Sequence, residues 1–422
     1  MGIANSQISG IITPARFREY LYPMKKNIRF APVLILLTTL CAVGQMTNTI
    51  YVPAMDLIAN ALLVHDQFVQ AVMAFYLLPY GLSQFIYGPI SDHFGRKPVI
   101  LWGLAIFIFG SLLTVIAHVF WLLVVGSFIQ GVGIGVGGVM ARTVMRDLYS
   151  GKKLHQASSY VSIAFILAPI TAPVIGGVLA GYFGWRADFA FLMIVGIIVL
   201  GIQYYFFVET NPYVNTGVPV HKTPLLVRYR TLLSDNAFIG YMICLFICFG
   251  GVSVFEACSG LLFTKLLGFS PQAASLLFIV PLPGYMLGSY LSGYLRNYFS
   301  VNQIILAGIA LLLIGAVIMC VSGIIHYTNA TVILIAASLY LAGSGIIFPA
   351  ATTGAIEPFG HLAGTAGAVL GGTQNVGAGL ITMISACIPQ FSQLPMGIIL
   401  LFLTIALIII FRRLVMNNLS SG

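Results

Sequence analysis

Residues 88–97 read Gly88-Pro89-Ile90-Ser91-Asp92-His93-Phe94-Gly95-Arg96-Lys97 and stand between two long apolar stretches. Their chemistry suits a short turn at the edge of hydrocarbon. Gly88 lets neighbouring helices approach, Asp92 caps a helix or pairs with a cation, and Gly95 permits a tight reversal. Arg96 and Lys97 hold such a turn on the basic side of a membrane. The flanking stretches therefore read as two membrane spans joined by a hairpin.

Outward from this decapeptide the pattern repeats. Apolar runs lie near 32–54, 68–90, 99–117, 120–141, 157–181, 188–208, 237–264, 272–295, 302–323, 329–350, 362–388 and 395–414. Runs of about 20 apolar residues span roughly 30 Å of hydrocarbon as helices. Barrel strands would be half as long and would alternate. The chain is 59% hydrophobic and 7% charged, with a mean hydropathy of +1.01, too little charge to cover a water-soluble surface of this size. The expected fold is an all-α membrane protein of twelve transmembrane helices.

Charge sets the orientation. With residue 1 on the cytoplasmic side, 17 of the 19 Lys and Arg residues fall inside and only Arg186 and Lys265 fall outside. The positive-inside rule then puts both termini of a multi-pass membrane protein in the cytoplasm. The same asymmetry accounts for the net charge of +9. Nucleic-acid binding is excluded as its cause, because no basic, aromatic-interleaved soluble domain is present. The six cysteines, Cys41, Cys244, Cys248, Cys258, Cys320 and Cys387, all fall in apolar runs and read as small packing residues. None forms a metal cluster. Residues 14–30 suit a short surface helix beside anionic lipid.

The chain divides into 1–30, a cytoplasmic segment; 31–208, a first bundle of six helices; 209–236, a polar linker with Pro212, Pro219 and Pro224; 237–414, a second bundle of six; and 415–422, a tail. Two halves of six predict an internal pseudo-symmetric repeat with a site near the midplane. Gly293-Tyr294-Leu295-Arg296-Asn297 follows the eighth run as Gly88–Asp92 follows the second, a faint trace of that repeat.

The decapeptide, its place between the second and third spans, and the two halves resemble the major facilitator superfamily of secondary transporters. In the fifth span Pro169, Pro173, Gly176 and Gly177 look like that family's antiporter motif, with Ala172 where the family usually has Gly. In the fourth span the family often carries an Arg three residues before Gln-Gly. Here Ser127 precedes Gln130-Gly131, so the proton role of that Arg is not carried over, and Arg142 is the remaining candidate cation. The strings at 43–46, 137–143, 146–149, 255–260 and 362–367 are similar to drug:proton antiporters of the multidrug- and bicyclomycin-resistance branch. That resemblance implies a major facilitator fold, an apolar central cavity and proton-driven multidrug export, hence antibiotic resistance.

Among ten acids, only Glu256 lies well inside a span. A carboxyl there is costly unless it faces the protein interior or water, so it marks a functional position. Glu256 is the candidate for proton coupling, against the alternative of a structural hydrogen bond. Gln45 with Thr49 and Tyr76 with Tyr80 are i, i+4 pairs on the first two spans. Gln374 and Asn375 add amides from the eleventh. Aromatic walls suit planar lipophilic cations. The resemblance puts Gln45, Tyr76 and Tyr80 in the cavity wall; the alternative is polar glue between helices. Gly88, Asp92, Gly95, Arg96, Lys97 and Arg142 make up the expected cytoplasmic gate, with Asp92 meeting Arg142 or the start of helix 11.

No Walker loop, Ser-His-acid set or metal array is evident, so an enzyme or ATP-driven pump is disfavoured. The expected activity is export of lipophilic or amphipathic small molecules by a monomer, driven by protons without a cofactor. Export of a single metabolite or siderophore is the alternative in the same fold. A nutrient symporter and a non-transporting receptor are the readings from other classes.

Overall fold

The computed structural model describes residues 30–149, 151–211, 224–389 and 391–416. The expected surface helix at 14–30 falls outside these residues but for its last one, as do most of the linker and the last six residues of the tail. Among the described residues every regular element is helical.

The first half holds α1 (Phe30–Leu62), α2 (Asp66–Phe94), α3 (Arg96–Val115), α4 (Phe120–Leu148), α5 (Gly151–Phe183) and α6 (Arg186–Phe206). After a short linker helix, Leu225–Leu233, come α7 (Asn236–Leu266), α8 (Pro271–Leu295), α9 (Val301–Ile324), α10 (Ala330–Ile356), α11 (Ala363–Ala386) and α12 (Leu394–Met416). Ten of these rods are long and apolar enough to cross a membrane on composition alone. The other two, α5 and α11, are just as long. In α11, glycines 364, 367, 371, 372, 377 and 379 dilute hydropathy and give a close-packing surface. The outward faces carry exposed Phe109, Ile198, Ile398 and Phe402, side chains suited to lipid rather than to water.

Each half has its own hydrophobic core. The dominant packing pairs of the first half are α2 with α4, α3 with α4, α3 with α6, α1 with α5 and α1 with α4. Those of the second half are α8 with α10, α9 with α10, α9 with α12, α7 with α11 and α7 with α10. Adding six to each helix of the first set gives the second, so the repeat barely visible in sequence is plain in packing. The contacts between halves obey it too, α2 meeting α11 and α5 meeting α8.

Glycine makes these approaches possible. The glycines of α4 seat three different neighbours: Gly131 lies under the Tyr76 carbonyl of α2, Gly133 against the Phe107 backbone of α3, and Gly137 against the Leu40 carbonyl of α1. At the crossing between the halves, a Cβ on Gly81 would stand 2.6 Å from the Val376 nitrogen and 2.7 Å from the Gly372 oxygen.

Two sequence expectations are corrected here. The decapeptide is not a loop: α2 continues through Pro89 to Phe94, and only Gly95, at φ 97° and ψ 160°, leaves helical geometry. The helices outrun the apolar runs because their polar ends are satisfied by one another. Cys387 is exposed, one residue beyond α11, and is not a packing residue; the other five cysteines are buried.

Candidate functional site

The basic end of the bundle is organised around Arg96, which is only 2% exposed. Its Nη1 donates to Asp92 Oδ1 at 2.7 Å and to Ser91 Oγ at 2.6 Å, and its Nε donates to Asp147 Oδ2 at 3.0 Å. Charge-assisted bonds of this kind compensate the desolvation of a buried guanidinium. Glu209 closes the cluster. Its carboxylate accepts from the Arg96 and Lys97 backbone N–H groups at 2.9 and 3.0 Å, capping the electropositive start of α3. Asn211 Nδ2 donates to the Asp92 carbonyl at 2.9 Å. Lys97 stands 5.7 Å over the Tyr204 ring.

Asp92 therefore pairs with Arg96, four residues on in the same half, and not with Arg142 or the start of α11 as expected. The i, i+4 spacing across the Gly95 turn brings the guanidinium back onto the end of α2. Gly88 is also not a tight contact, since a Cβ there would meet only Val139 Cγ1 at 3.9 Å. The bond between the halves is made by Arg142 instead: its Nη1 donates to the Gly367 carbonyl of α11 at 2.5 Å. Gly371 leaves room for it, because a Cβ there would stand 2.5 Å from the same nitrogen. The repeat reappears in weaker form where Arg296, after α8, meets Glu357, after α10, at 3.6 Å with both side chains exposed.

At the opposite end, α5 holds the Pro169, Pro173, Gly176 and Gly177 run inside one continuous helix. Consecutive glycines serve different partners. Gly176 lies under the Ile50 carbonyl of α1, and Gly177 lies against Pro271 and Ser275 of α8, in the other half. Gly260 of α7 covers the Val52 carbonyl. These carbonyls belong to the stretch where α1 tightens into a 3-10 turn, Val52–Ala54. An ion pair from Lys265 Nζ to Asp66 Oδ2, 2.5 Å, joins the halves near the surface.

Between the two ends, Tyr76 and Tyr80 stack with centroids 5.7 Å apart at 23°. Tyr76 Oη donates to the Gly44 carbonyl at 2.6 Å, and Gln45 Nε2 donates to Tyr80 Oη at 3.4 Å. The geometry thus brings Gln45, Tyr76 and Tyr80 together. Thr49 is buried with its hydroxyl unpartnered. Gln374 is half-buried on α11, and Asn375 turns onto its own helix, donating to the Gly371 carbonyl at 2.8 Å.

Glu256 is buried on α7, and its Oε2 accepts from Asn48 Nδ2 of α1 at 3.0 Å. This bond joins repeat-related helices of the two halves. Asn48 Oδ1 and the hydroxyls of Tyr51 and Ser253 are buried without partners among the described residues. Such groups are costly to hold dry, which marks this junction as polar ground inside an apolar bundle.

Several residues escaped the sequence reading. Asn48 was visible as a polar residue of the first span, but not as the partner of Glu256. Asp147 follows Arg146 at the end of α4 without any local sign of its bond to Arg96. Asp188, in the first turn of α6, is 0% exposed, with neither carboxylate oxygen bonded among the described residues.

Comparison with known proteins agrees with this architecture. The sequence profile described as Major Facilitator Superfamily matches residues 35–382. The chain is 39% identical over 384 residues to Multidrug resistance protein D of Escherichia coli, covering 91% of this chain and 96% of that one. It is 22% identical to a Bicyclomycin resistance protein homolog of Haemophilus influenzae, over 82% of this chain and 86% of that one. Among solved structures, a D-xylose-proton symporter superposes with a TM-score of 0.72 at 13% identity, covering 90% of this chain and 97% of that one. A bacterial homolog of the human lysosomal transporter Spinster superposes with a TM-score of 0.67 at 17% identity, covering 92% and 95%. At these identities the two structures speak for the fold alone. On the profile match and the 39% identity together, this chain belongs to the Major Facilitator Superfamily.

Proposed function

We propose that this protein exports amphipathic or lipophilic small molecules, drugs among them, in exchange for protons by alternating access. Relatives named for multidrug, bicyclomycin and chloramphenicol resistance support the cargo class. One structural observation carries the coupling: the Asn48–Glu256 hydrogen bond at 3.0 Å sits where the halves must part for the outward opening. A carboxyl that gains a proton there can reset its partner and lose its attraction for a cationic cargo in one event.

The cycle follows from that position. Cargo enters from the basic end, which faces the cytoplasm along with both termini. It is held by Gln45, Thr49, Tyr76, Tyr80, Gln374 and Asn375, with the tyrosine faces stacking on planar cations. Arg142, the Arg96–Asp92–Asp147 cluster and Gly95 hold the cytoplasmic gate, while Pro169, Pro173, Gly176 and Gly177 shape the outer one. A proton arriving from outside neutralises Glu256 and cargo leaves. Loss of that proton to the cytoplasm restores affinity. The proton gradient supplies the energy without a cofactor, in a monomer of the bacterial inner membrane.

Proton release on adding ethidium or tetraphenylphosphonium to the purified protein tests this reading. Stoichiometric, saturable release is expected. No release with any lipophilic cation, together with proton uptake on adding a single metabolite, would replace it with a dedicated transporter.

A further inference from the structure

A cavity of about 200 Å³ opens at the basic end, between the halves and beneath the linker helix. Among the described residues its wall carries three cations, Arg142 and Arg146 from α4 and Arg228 from the linker helix, and a single acid, Asp92. Asp92 is already committed to Arg96. Arg228 is 9% exposed; its Nη1 donates to Thr365 Oγ1 at 3.1 Å, while its Nε is buried with no acceptor among the described residues. The Arg146 guanidinium lies against Gly364 and has no carboxylate partner among the described residues.

The opposite wall is the start of α11, a helix of 24 residues with no side-chain cap at Leu362 and no acid in its first turn. Gly364, Thr365, Gly367 and Ala368 line the cavity there. A 3-10 turn, Glu357–Leu362, runs straight into this helix and supplies backbone acceptors to its first turn, so the positive charge of the cavity is that of the guanidinium groups. Of the chain's ten acidic side chains, only Glu19 lies outside the described residues, so the sequence has little else to neutralise this wall.

We propose that this cavity binds a phosphate group, either the headgroup of an anionic phospholipid or a free phosphate compound. Guanidinium forks match phosphate oxygens, and the Thr365 hydroxyl on the opposite wall has a proton to donate to them. The anion would touch the first half through Arg142 and Arg146, the second half through α11, and the linker through Arg228. Those three parts separate when the basic end opens, so the bound phosphate holds that end closed. The inference stands whatever the exported cargo is, because no residue of the tyrosine cluster or the Glu256 junction takes part.

The test uses the full chain in neutral detergent. Thermal unfolding is followed against inorganic pyrophosphate and, separately, against mixed micelles of phosphatidylglycerol or of phosphatidylcholine. A saturable rise in the unfolding midpoint with pyrophosphate or with phosphatidylglycerol, and none with phosphatidylcholine, is expected. Phosphatidylglycerol acting alone identifies the lipid headgroup; pyrophosphate acting alone identifies a soluble phosphate. Arg228→Gln should weaken the effective probe about tenfold, the loss of one charge-assisted contact. A second measurement needs only the wild-type protein. Phenylglyoxal labelling mapped by peptide mass spectrometry should show Arg146 and Arg228 protected by the effective probe, and exposed Arg413 unprotected. No saturable shift with either phosphate probe overturns the proposal, and so does equal labelling of all three arginines with and without it.

Discussion

Asn48 and Glu256, 208 positions apart in sequence, meet across the interface of the two halves, the amide nitrogen donating to Oε2 at 3.0 Å. α1 and α7 occupy equivalent places in the repeat, so the bond lies close to the axis about which the halves exchange. A change of charge at Glu256 acts on both halves at once.

Glu256→Gln is therefore expected to keep a hydrogen bond to Asn48 while removing the carboxyl proposed to carry the proton. Purified protein should still bind ethidium, but cells should fail to extrude it against a gradient, and proton release on cargo addition should vanish. Normal uphill efflux by this variant would move the coupling elsewhere, with Asp188 as the next buried carboxyl to test.

Arg96→Ala leaves Asp92 and Asp147 facing each other without their shared cation. Breaking a buried ion pair by removing one partner costs about 3–5 kcal/mol. Unfolding in mixed micelles should report a loss of that order, partly restored by Arg96→Lys, which keeps the charge but cannot reach three acceptors in one plane. A loss below about 1 kcal/mol, the range of exposed pairs, would mean the cluster is solvated in the membrane.

Gly81→Ala and Gly88→Ala form a matched pair about two turns apart on α2. The first drives a Cβ into backbone atoms of α11 at 2.6 and 2.7 Å, whereas the second meets nothing nearer than 3.9 Å. Overpacking at the first site should cost about 1–3 kcal/mol in the state closed at the basic end. Distance measurements between spin labels on α2 and α11 should show a shift to the open state for Gly81→Ala only.

Tyr80→Ala removes half of the stacked pair with Tyr76. Ethidium affinity, read by fluorescence on the purified protein, should fall about tenfold, in line with the loss of one aromatic contact of about 1.4 kcal/mol. Tyr80→Phe should keep most of it, since the hydroxyl gains only a 3.4 Å bond from Gln45. Equal affinity in all three proteins would remove these rings from the cargo site.

Much of the architecture was legible because a membrane leaves few options for the backbone. The runs from 32–54 to 395–414 each correspond to a helix, and Gly95 takes the positive φ its place suggested. Side-chain partnership was less legible. Asp92 had several cations within plausible reach, and the choice of Arg96 depends on how α3 leaves Gly95. Asn48 finds Glu256 only through the meeting of two distant helices, which no local pattern encodes. The small residues that make α11 a good packing surface also lower its hydropathy, so the signal for crossing the membrane and the signal for crossing another helix work against each other.

The two ends of the molecule are closed by different materials. At one, the Arg142 guanidinium donates to the Gly367 carbonyl across the interface; the other presses Gly177 onto Pro271 and Gly260 onto the Val52 carbonyl, with the exposed Lys265–Asp66 pair outside them. Ions in solution screen the exposed Lys265–Asp66 pair far more than the Arg142 contact, and have no purchase on the glycine packing. Ionic strength is thus an independent handle on the balance of the cycle. Added salt loosens the outermost contact of the glycine-packed end, whereas the arginine-held end keeps its strength.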